Sequence, residues 1–145
     1  MAWGALFSTA STATMLGWLA LILLPRWPIM LSALSTGLVG TLCVGYSALM
    51  LAFFFRSGGG FGSLAAVRTL FASDPVLLAG WIHYLAFDLF VGIWIARQAD
   101  SIGLSRLVQA PILLATFMFG PLGLLLFQGC RTGSRLAAPA THRSA

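Results

Sequence analysis

Four apolar runs, each about as long as a bilayer is thick, constrain this chain more than any other feature. They cover residues 4–24, 30–55, 75–96 and 107–128, with polar or helix-breaking residues between them. A helix that crosses the hydrocarbon core needs about 20 apolar residues. Only 8% of the residues are charged, whereas a soluble domain carries about 25% to cover its surface. The sequence therefore predicts an all-α membrane protein, a polytopic bundle of about four transmembrane helices.

The segments between and after these runs complete the predicted domain. Residues 61–74 carry apolar side chains at helical spacing, namely Leu64, Val67, Leu70 and Phe71. The segment is too short to cross a bilayer, so we expect a short amphipathic helix at the membrane interface. Residues 1–128 then form a single transmembrane domain, and residues 129–145 form a short polar tail that we expect to be disordered.

The charged residues are eight Arg and three Asp, without Lys or Glu. The arginines flank the apolar runs one or two at a time, a pattern typical of membrane boundaries and not of a nucleic-acid interface. Four spans place both termini on one side, and that side holds Arg56, Arg68, Arg131, Arg135 and Arg143. The positive-inside rule then predicts both termini in the cytoplasm. Abundant Ala, Gly and Arg without Lys indicates a GC-rich bacterial genome, so we expect the protein in a bacterial inner membrane.

His83 and Asp88 are ionisable side chains deep inside a predicted span. An Asp at the centre of a span costs about 2.5–3.5 kcal/mol on insertion scales, so it needs a partner, a water-filled cavity or a function. On a helix the two residues lie about 140° apart around the axis and about 7.5 Å apart along it. Tyr84 stands one turn before Asp88, so its hydroxyl can approach the carboxyl group. We expect the sector between them to face the interior of the bundle.

Two interpretations of this polar set are compatible with the residues. A carboxyl group in apolar surroundings can hold a proton, and an imidazole nearby can accept or return one, so His83, Asp88 and Tyr84 are candidate catalytic residues. Alternatively, Asp88 is a polar clamp bonded to Tyr, Ser or Trp groups on a neighbouring helix. One His and one Asp are too few for a closed metal site, so we predict neither a metal nor a cofactor.

Aromatic side chains near this set and in the fourth run are candidate substrate-binding positions. Trp81 and Phe87 flank the polar residues, and Phe117 and Phe119 precede a Gly-Pro pair that should kink the fourth helix. Phe117 and Phe119 could line an apolar slot, and core packing explains them equally well.

Three stretches carry a resemblance to a known family. They are SLAAVRTLF at 63–71, LLAGWIHYLAFDLFVGIWIARQAD at 77–100 and APILLATFMFGPLGLLLF at 110–127. Together they resemble the abscisic-acid-deficient-four-like family, whose plant members are neoxanthin synthases. The most specific part is a Trp-x-His followed by Asp-Leu-Phe inside one span. The resemblance implies a small polytopic membrane protein of carotenoid metabolism.

The resemblance also implies a reaction. In plants it is the isomerisation of violaxanthin to neoxanthin, in which a 5,6-epoxide opens and an allene forms. That chemistry needs an acid at the epoxide oxygen and a base at a carbon-bound proton, and no redox cofactor. Asp88 as the acid and His83 as the base is a sensible assignment. The implied partner is a carotenoid or another isoprenoid lipid, which suits a slot between apolar helices.

Two other functions stay open. One is a non-enzymatic subunit that binds a pigment or assembles a complex, as a homo-oligomer or with a membrane partner protein. Gly37, Gly40 and Gly45 in the second run would let another helix approach closely. The other is a small transporter, which is the weaker alternative. One acidic residue and one His within the spans are few for an ion pathway, and the sequence shows no inverted repeat.

Overall fold

Helices make up nearly all of the chain that the structure describes. The computed structural model describes residues 2–137, and no strand occurs among them. Three of the helices are long and apolar enough to cross a membrane: Trp3–Leu23, Pro28–Arg56 and Asp74–Ser101. The predicted all-α class, with apolar helices that can span a membrane, is confirmed.

The first two spans end and begin at prolines. α1 (Ala2–Leu23) stops shortly before Pro25, which cannot continue a helix. The second span begins with Pro28 in its first turn, where a missing N–H costs nothing. It consists of α2 (Pro28–Ser32), a π-helical turn (Ala33–Leu38), α3 (Val39–Phe53) and a 3-10 turn (Phe54–Arg56).

A short amphipathic helix forms within the segment 61–74, as the apolar spacing predicted. α4 (Leu64–Phe71) begins after Ser63, whose hydroxyl accepts a hydrogen bond from the Ala66 amide at 3.1 Å. The Leu70 side chain is fully buried, so one face of α4 packs against the rest of its unit. Its position at the membrane interface stays a prediction.

The chain divides into two compact units, Met1–Ile93 and Trp94–Ala145, and α5 (Asp74–Ser101) contributes to both. The Ser73 carbonyl oxygen accepts the Leu77 amide at 2.8 Å and so closes the first turn of α5. With 28 residues, α5 is about 42 Å long, which exceeds the thickness of the hydrocarbon core.

In the first unit, α3 runs antiparallel to α5. The Tyr46 ring on α3 contacts the His83 ring on α5. Cys43, which precedes Tyr46, lines a groove together with Phe87, which follows His83, so the two helices run in opposite directions. One buried cluster of this unit lies between these two helices and consists of Leu42, Leu78, Ile82, Leu85 and Ala86.

α1 runs parallel to α5 and packs closely on it. Phe7 contacts Trp81, and further along both helices Trp18 lies against Gly92. The indole ring of Trp18, only 3% exposed, fills the space that a side chain at Gly92 would need. The absence of a Cβ atom at Gly92 therefore allows the close approach of the two helices.

The second unit contains the end of α5 and two shorter helices, α6 (Arg106–Phe119) and α7 (Pro121–Ala137). The Gln109 side chain, 1% exposed, donates from Nε2 to Asp100 Oδ1 at 2.9 Å and to the Leu104 carbonyl oxygen at 2.7 Å. This amide fastens the first turn of α6 to the end of α5.

α6 and α7 form a helical hairpin. Gly120 between them has φ +42° and ψ −89°, which residues with a side chain disfavour. Gly123 touches both the side chain and the backbone of Thr116, whereas an unbroken helix would hold these residues about 10.5 Å apart along its axis. The sequence predicted one kinked span over 107–128. The structure differs because the chain reverses at Gly120.

α7 extends further than the sequence suggested. It continues to Ala137, through the first part of the segment 129–145 that we expected to be a disordered tail. The next proline after Pro121 is Pro139, so no proline ends the helix earlier. Residues 138–145 lie outside the described residues.

Candidate functional site

His83 lies on α5 between two aromatic rings. Its ring centre is 5.2 Å from that of Tyr46 on α3 and 4.5 Å from that of Phe87. The rings of His83 and Phe87 stack because residues four apart share a helix face. From the sequence we expected this part of α5 to face the interior of the bundle. In the structure His83 is exposed, because it lies on the open side of the contact between α3 and α5.

A groove of about 340 Å³ opens beside His83. Most of its lining is apolar, and the imidazole and one phenol supply the polar groups. We call it the His83 groove, lined chiefly by His83, Tyr46, Gly80, Leu70, Phe71 and Phe61. Its polar groups come from two helices, α3 and α5, that run in opposite directions.

α4 forms one wall of the His83 groove. The Phe71 ring occupies the space that a side chain at Gly80 would fill, and Leu70 beside it is fully buried. The amphipathic helix is thus attached to α5 by a ring packed on a glycine. Any movement of α4 would change the shape of the groove.

Asp88 and Tyr84 form a separate pair on α5. The Tyr84 hydroxyl donates a hydrogen bond to the Asp88 carboxyl group, as their spacing predicted. The other carboxyl oxygen, Oδ2, is buried and has no hydrogen-bond partner among residues 2–137. Asp88 is not part of the lining of the His83 groove. A structural clamp and a proton-transfer role therefore both remain compatible with its contacts.

Trp81 lines a second groove, at the start of α5. Its ring centre is 5.4 Å from those of Phe7 and Tyr84, and its indole N–H donates to Ser11 Oγ at 2.9 Å. The groove measures about 440 Å³. We call it the Trp81 groove, lined chiefly by Trp3, Phe7, Asp74, Leu77, Leu78 and Trp81.

The other predicted substrate-binding residues lie elsewhere. Phe87 stacks on His83 but lines a further groove of about 350 Å³, together with Cys43 and Phe90. Phe117 and Phe119 belong to the second unit, at the end of α6, where Phe119 is 62% exposed. Their roles in binding stay predictions.

Imidazole, phenol and carboxyl groups are the chemical groups available at these positions. Among residues 2–137, no three His, Cys, Asp or Glu side chains come together as a metal site requires. In the first unit, His83 and Tyr46 place two groups that can donate or accept a proton in one apolar groove.

A family model described as ABA DEFICIENT 4-like matches residues 5–127. This chain belongs to the ABA DEFICIENT 4-like family. The match covers α4, α5 and α6 completely and nearly all of α1, and it confirms the resemblance seen in the sequence motifs. No curated protein and no solved structure matches the chain.

Tyr46 is a polar residue of the His83 groove that the sequence motifs of this family member did not reveal. It stands between Gly45 and Ser47, in a run where small residues indicated helix packing. The available signal was a single phenol inside an apolar span. Its pairing with His83 depends on which faces of α3 and α5 meet, and no local pattern specifies that.

Proposed function

We propose that this member of the ABA DEFICIENT 4-like family is an intramembrane isomerase that acts on the end group of a carotenoid or a related isoprenoid in the His83 groove. One observation carries the proposal: an imidazole and a phenol from two helices line the same apolar groove. Ionisable side chains are costly within a membrane, where they mark functional positions.

The size and position of the groove suit one end of a long lipid. A volume of about 340 Å³ lies near the lower limit for ligand pockets, which is about 300 Å³. We expect the groove to hold one end ring while the polyene chain extends along the apolar flank of the helices. Because His83 is exposed on this flank, the lipid could enter directly from the bilayer.

The proposed reaction is an isomerisation by proton transfer. An acid gives a proton to the epoxide oxygen as a carbon–oxygen bond breaks, and a base removes a proton from a polyene carbon as the allene forms. One proton enters and one leaves, so the product has the composition of the substrate and no electrons are exchanged. A well-placed acid or base contributes about 10²–10⁴-fold to such a step.

His83 is the base in this proposal. Sequence reasoning assigned Asp88 as the acid, but the groove favours Tyr46. Its phenol lines the groove with His83, whereas Asp88 is bonded to Tyr84 and lies outside the lining. Asp88 is the alternative donor, and substitutions separate the two.

The test uses the purified full-length protein in lipid nanodiscs with violaxanthin, with the isomers separated by chromatography. We expect His83→Gln and Tyr46→Phe each to lower the rate by about 100-fold or more while the pigment still binds. Thr41→Val is the matched control, because it removes one hydroxyl from α3 outside the groove, and its rate should equal that of the unmodified protein.

Asp88→Asn identifies the acid. A rate close to that of the unmodified protein assigns the role to Tyr46, and a loss of about 100-fold assigns it to Asp88. If the product still forms at the normal rate in both His83→Gln and Tyr46→Phe, acid–base chemistry in this groove is wrong.

A non-enzymatic pigment-binding or assembly subunit is the second candidate, and one observation favours it. A Cβ atom added at Gly37, Gly40 or Gly45 would meet open space. Small residues that face open space allow another helix to approach closely. This candidate predicts that the unmodified protein binds violaxanthin without converting it and cross-links through α3 to a second membrane protein.

A further inference from the structure

The Trp81 groove contains an arrangement that the proposed isomerisation does not use. Three aromatic side chains, of Trp3, Phe7 and Trp81, line it together with the carboxylate of Asp74. We propose that this groove binds the ammonium group of a membrane phospholipid, such as an ethanolamine or choline lipid. The inference is independent of any reaction in the His83 groove.

The aromatic rings are positioned by contacts of their own. The rings of Phe7 and Trp81 lie 5.4 Å apart at 32°, and the Trp3 ring meets Phe53 edge-on at 5.5 Å. The Trp81 indole N–H donates a hydrogen bond to Ser11 Oγ, which fixes the position of the ring where it lines the groove. Groups of such rings bind alkylammonium ions through their negative faces, and quaternary ammonium ligands are the best-known case.

Asp74 gives the groove its charge. It stands in the first turn of α5 with its side chain exposed, and no basic side chain within residues 3–133 forms an ion pair with it. A helix N-terminus by itself attracts anions. A carboxylate placed there among aromatic rings reverses that preference, so the groove is suited to a cation.

The position of the groove favours a lipid over a free amine. Asp74 is the first residue of a helix that can span the membrane, and Leu77 and Leu78 continue the groove one turn further into that helix. A bound phospholipid would place its ammonium group beside Asp74 and its first acyl carbons along the leucines. The groove, at about 440 Å³, exceeds the His83 groove in volume.

The test measures lipids retained by the purified full-length protein in native mass spectrometry. The protein is mixed with equal amounts of phosphatidylethanolamine and phosphatidylglycerol carrying identical acyl chains. The arginines are the same in every variant, so a change in the ratio of the two bound lipids reports on this groove.

Asp74→Asn removes the charge and keeps the size of the side chain. We expect it to lower the ratio of bound phosphatidylethanolamine to phosphatidylglycerol by about tenfold, and Phe7→Leu to lower it by about fivefold. Trp27→Leu is the control for loss of an aromatic side chain, because Trp27 is 60% exposed and lies outside the groove. Its ratio should equal that of the unmodified protein.

Tetramethylammonium chloride distinguishes a lipid from a free amine. Competition that displaces phosphatidylethanolamine from the unmodified protein but not from Asp74→Asn supports the inference. Saturable tetramethylammonium binding without any preference between the lipids would overturn the assignment to a phospholipid. A lipid ratio that is unchanged in both Asp74→Asn and Phe7→Leu, with helical circular dichroism retained, would overturn the site itself.

Discussion

Gly92 and Trp18 form a contact in which the missing side chain of one residue makes room for the other. Trp18 is 3% exposed, so its ring is enclosed by neighbouring residues. We expect Gly92→Ala to destabilise the protein by about 1–3 kcal/mol, because the added methyl group meets the indole. Thermal unfolding in detergent, followed by circular dichroism, measures the change in melting temperature.

Gly40→Ala is the matched control for this prediction. It adds the same methyl group to a membrane helix at a position where the Cβ atom meets open space. Because Ala favours helix over Gly by up to about 1 kcal/mol, this variant should melt at the same temperature or slightly higher. Equal melting temperatures for the two variants would contradict the close packing of α1 on α5.

The polar residues show which contacts a sequence specifies. The Tyr84–Asp88 hydrogen bond follows from a spacing of four on one helix, so it could be predicted. The contact of Tyr46 with His83 joins residues 37 positions apart on different helices. It depends on how α3 and α5 are rotated about their axes. The sequence does not specify this rotation, because both helices are similarly apolar on all sides. The catalytic roles of these residues remain predictions.

At the scale of elements, Gly120 separates α6 from α7. Its φ of +42° with ψ of −89° is a conformation in which a Cβ atom is strained. Gly120→Ala should therefore cost about 1–3 kcal/mol and loosen the hairpin. Limited proteolysis around residue 120, together with the melting temperature, measures this effect.

Gly129→Ala serves as the comparison for the hairpin. Gly129 lies within α7, has an ordinary helical φ and leaves open space where a Cβ atom would stand. The substitution should leave both cleavage and melting temperature nearly unchanged. If Gly120→Ala behaves in the same way, the chain reversal does not depend on the glycine.

The Ser63 hydroxyl caps α4, which forms a wall of the His83 groove. Loss of such a cap costs about 1 kcal/mol. In Ser63→Ala, the α4 amides should therefore exchange hydrogen about fivefold faster, since 1.4 kcal/mol corresponds to tenfold. Hydrogen exchange read by mass spectrometry on peptides covering 64–71 provides the measurement.

Ser105 offers a control in the same protein. It occupies the N-cap position of α6, but its side chain makes no capping hydrogen bond. Ser105→Ala should leave exchange in α6 unchanged. Equal acceleration in both variants would mean that helix ends fray for reasons unrelated to capping.

The lengths of the apolar runs predicted the three long helices. They did not predict that the chain reverses at Gly120 after the third. The hydropathy of residues 107–128 shows only that they favour lipid or a protein core. A straight span and a helical hairpin have this property in common. Gly120-Pro121 signalled a break, but a kink and a reversal share that signal. The contact of Gly123 with Thr116 distinguishes them, and it exists only in three dimensions.

For the whole molecule, the hairpin leads to a prediction of three membrane crossings, one fewer than the sequence suggests. Three spanning helices place the end of α5 opposite the start of α1, and a hairpin returns α7 to the side on which α6 begins. We therefore predict that the start of α1 and Thr132 lie on opposite sides of the membrane, whereas four spans placed both termini in the cytoplasm. In this predicted topology, Arg56 and Arg68 flank one side, and Arg26, Arg97, Arg106 and Arg131 flank the other.

This distribution predicts an orientation as well as a topology. The side with four of these arginines should face the cytoplasm by the positive-inside rule, and the loop after α3 should face outward. Single thiols introduced as Ser57→Cys, Ser101→Cys and Thr132→Cys, with Cys43 and Cys130 changed to Ser, report on both. A membrane-impermeant maleimide should label only Ser57→Cys in intact cells and all three after lysis. Labelling of Ser57→Cys and Thr132→Cys from the same side would require the segment after α5 to cross the membrane once, which a reversal at Gly120 does not permit.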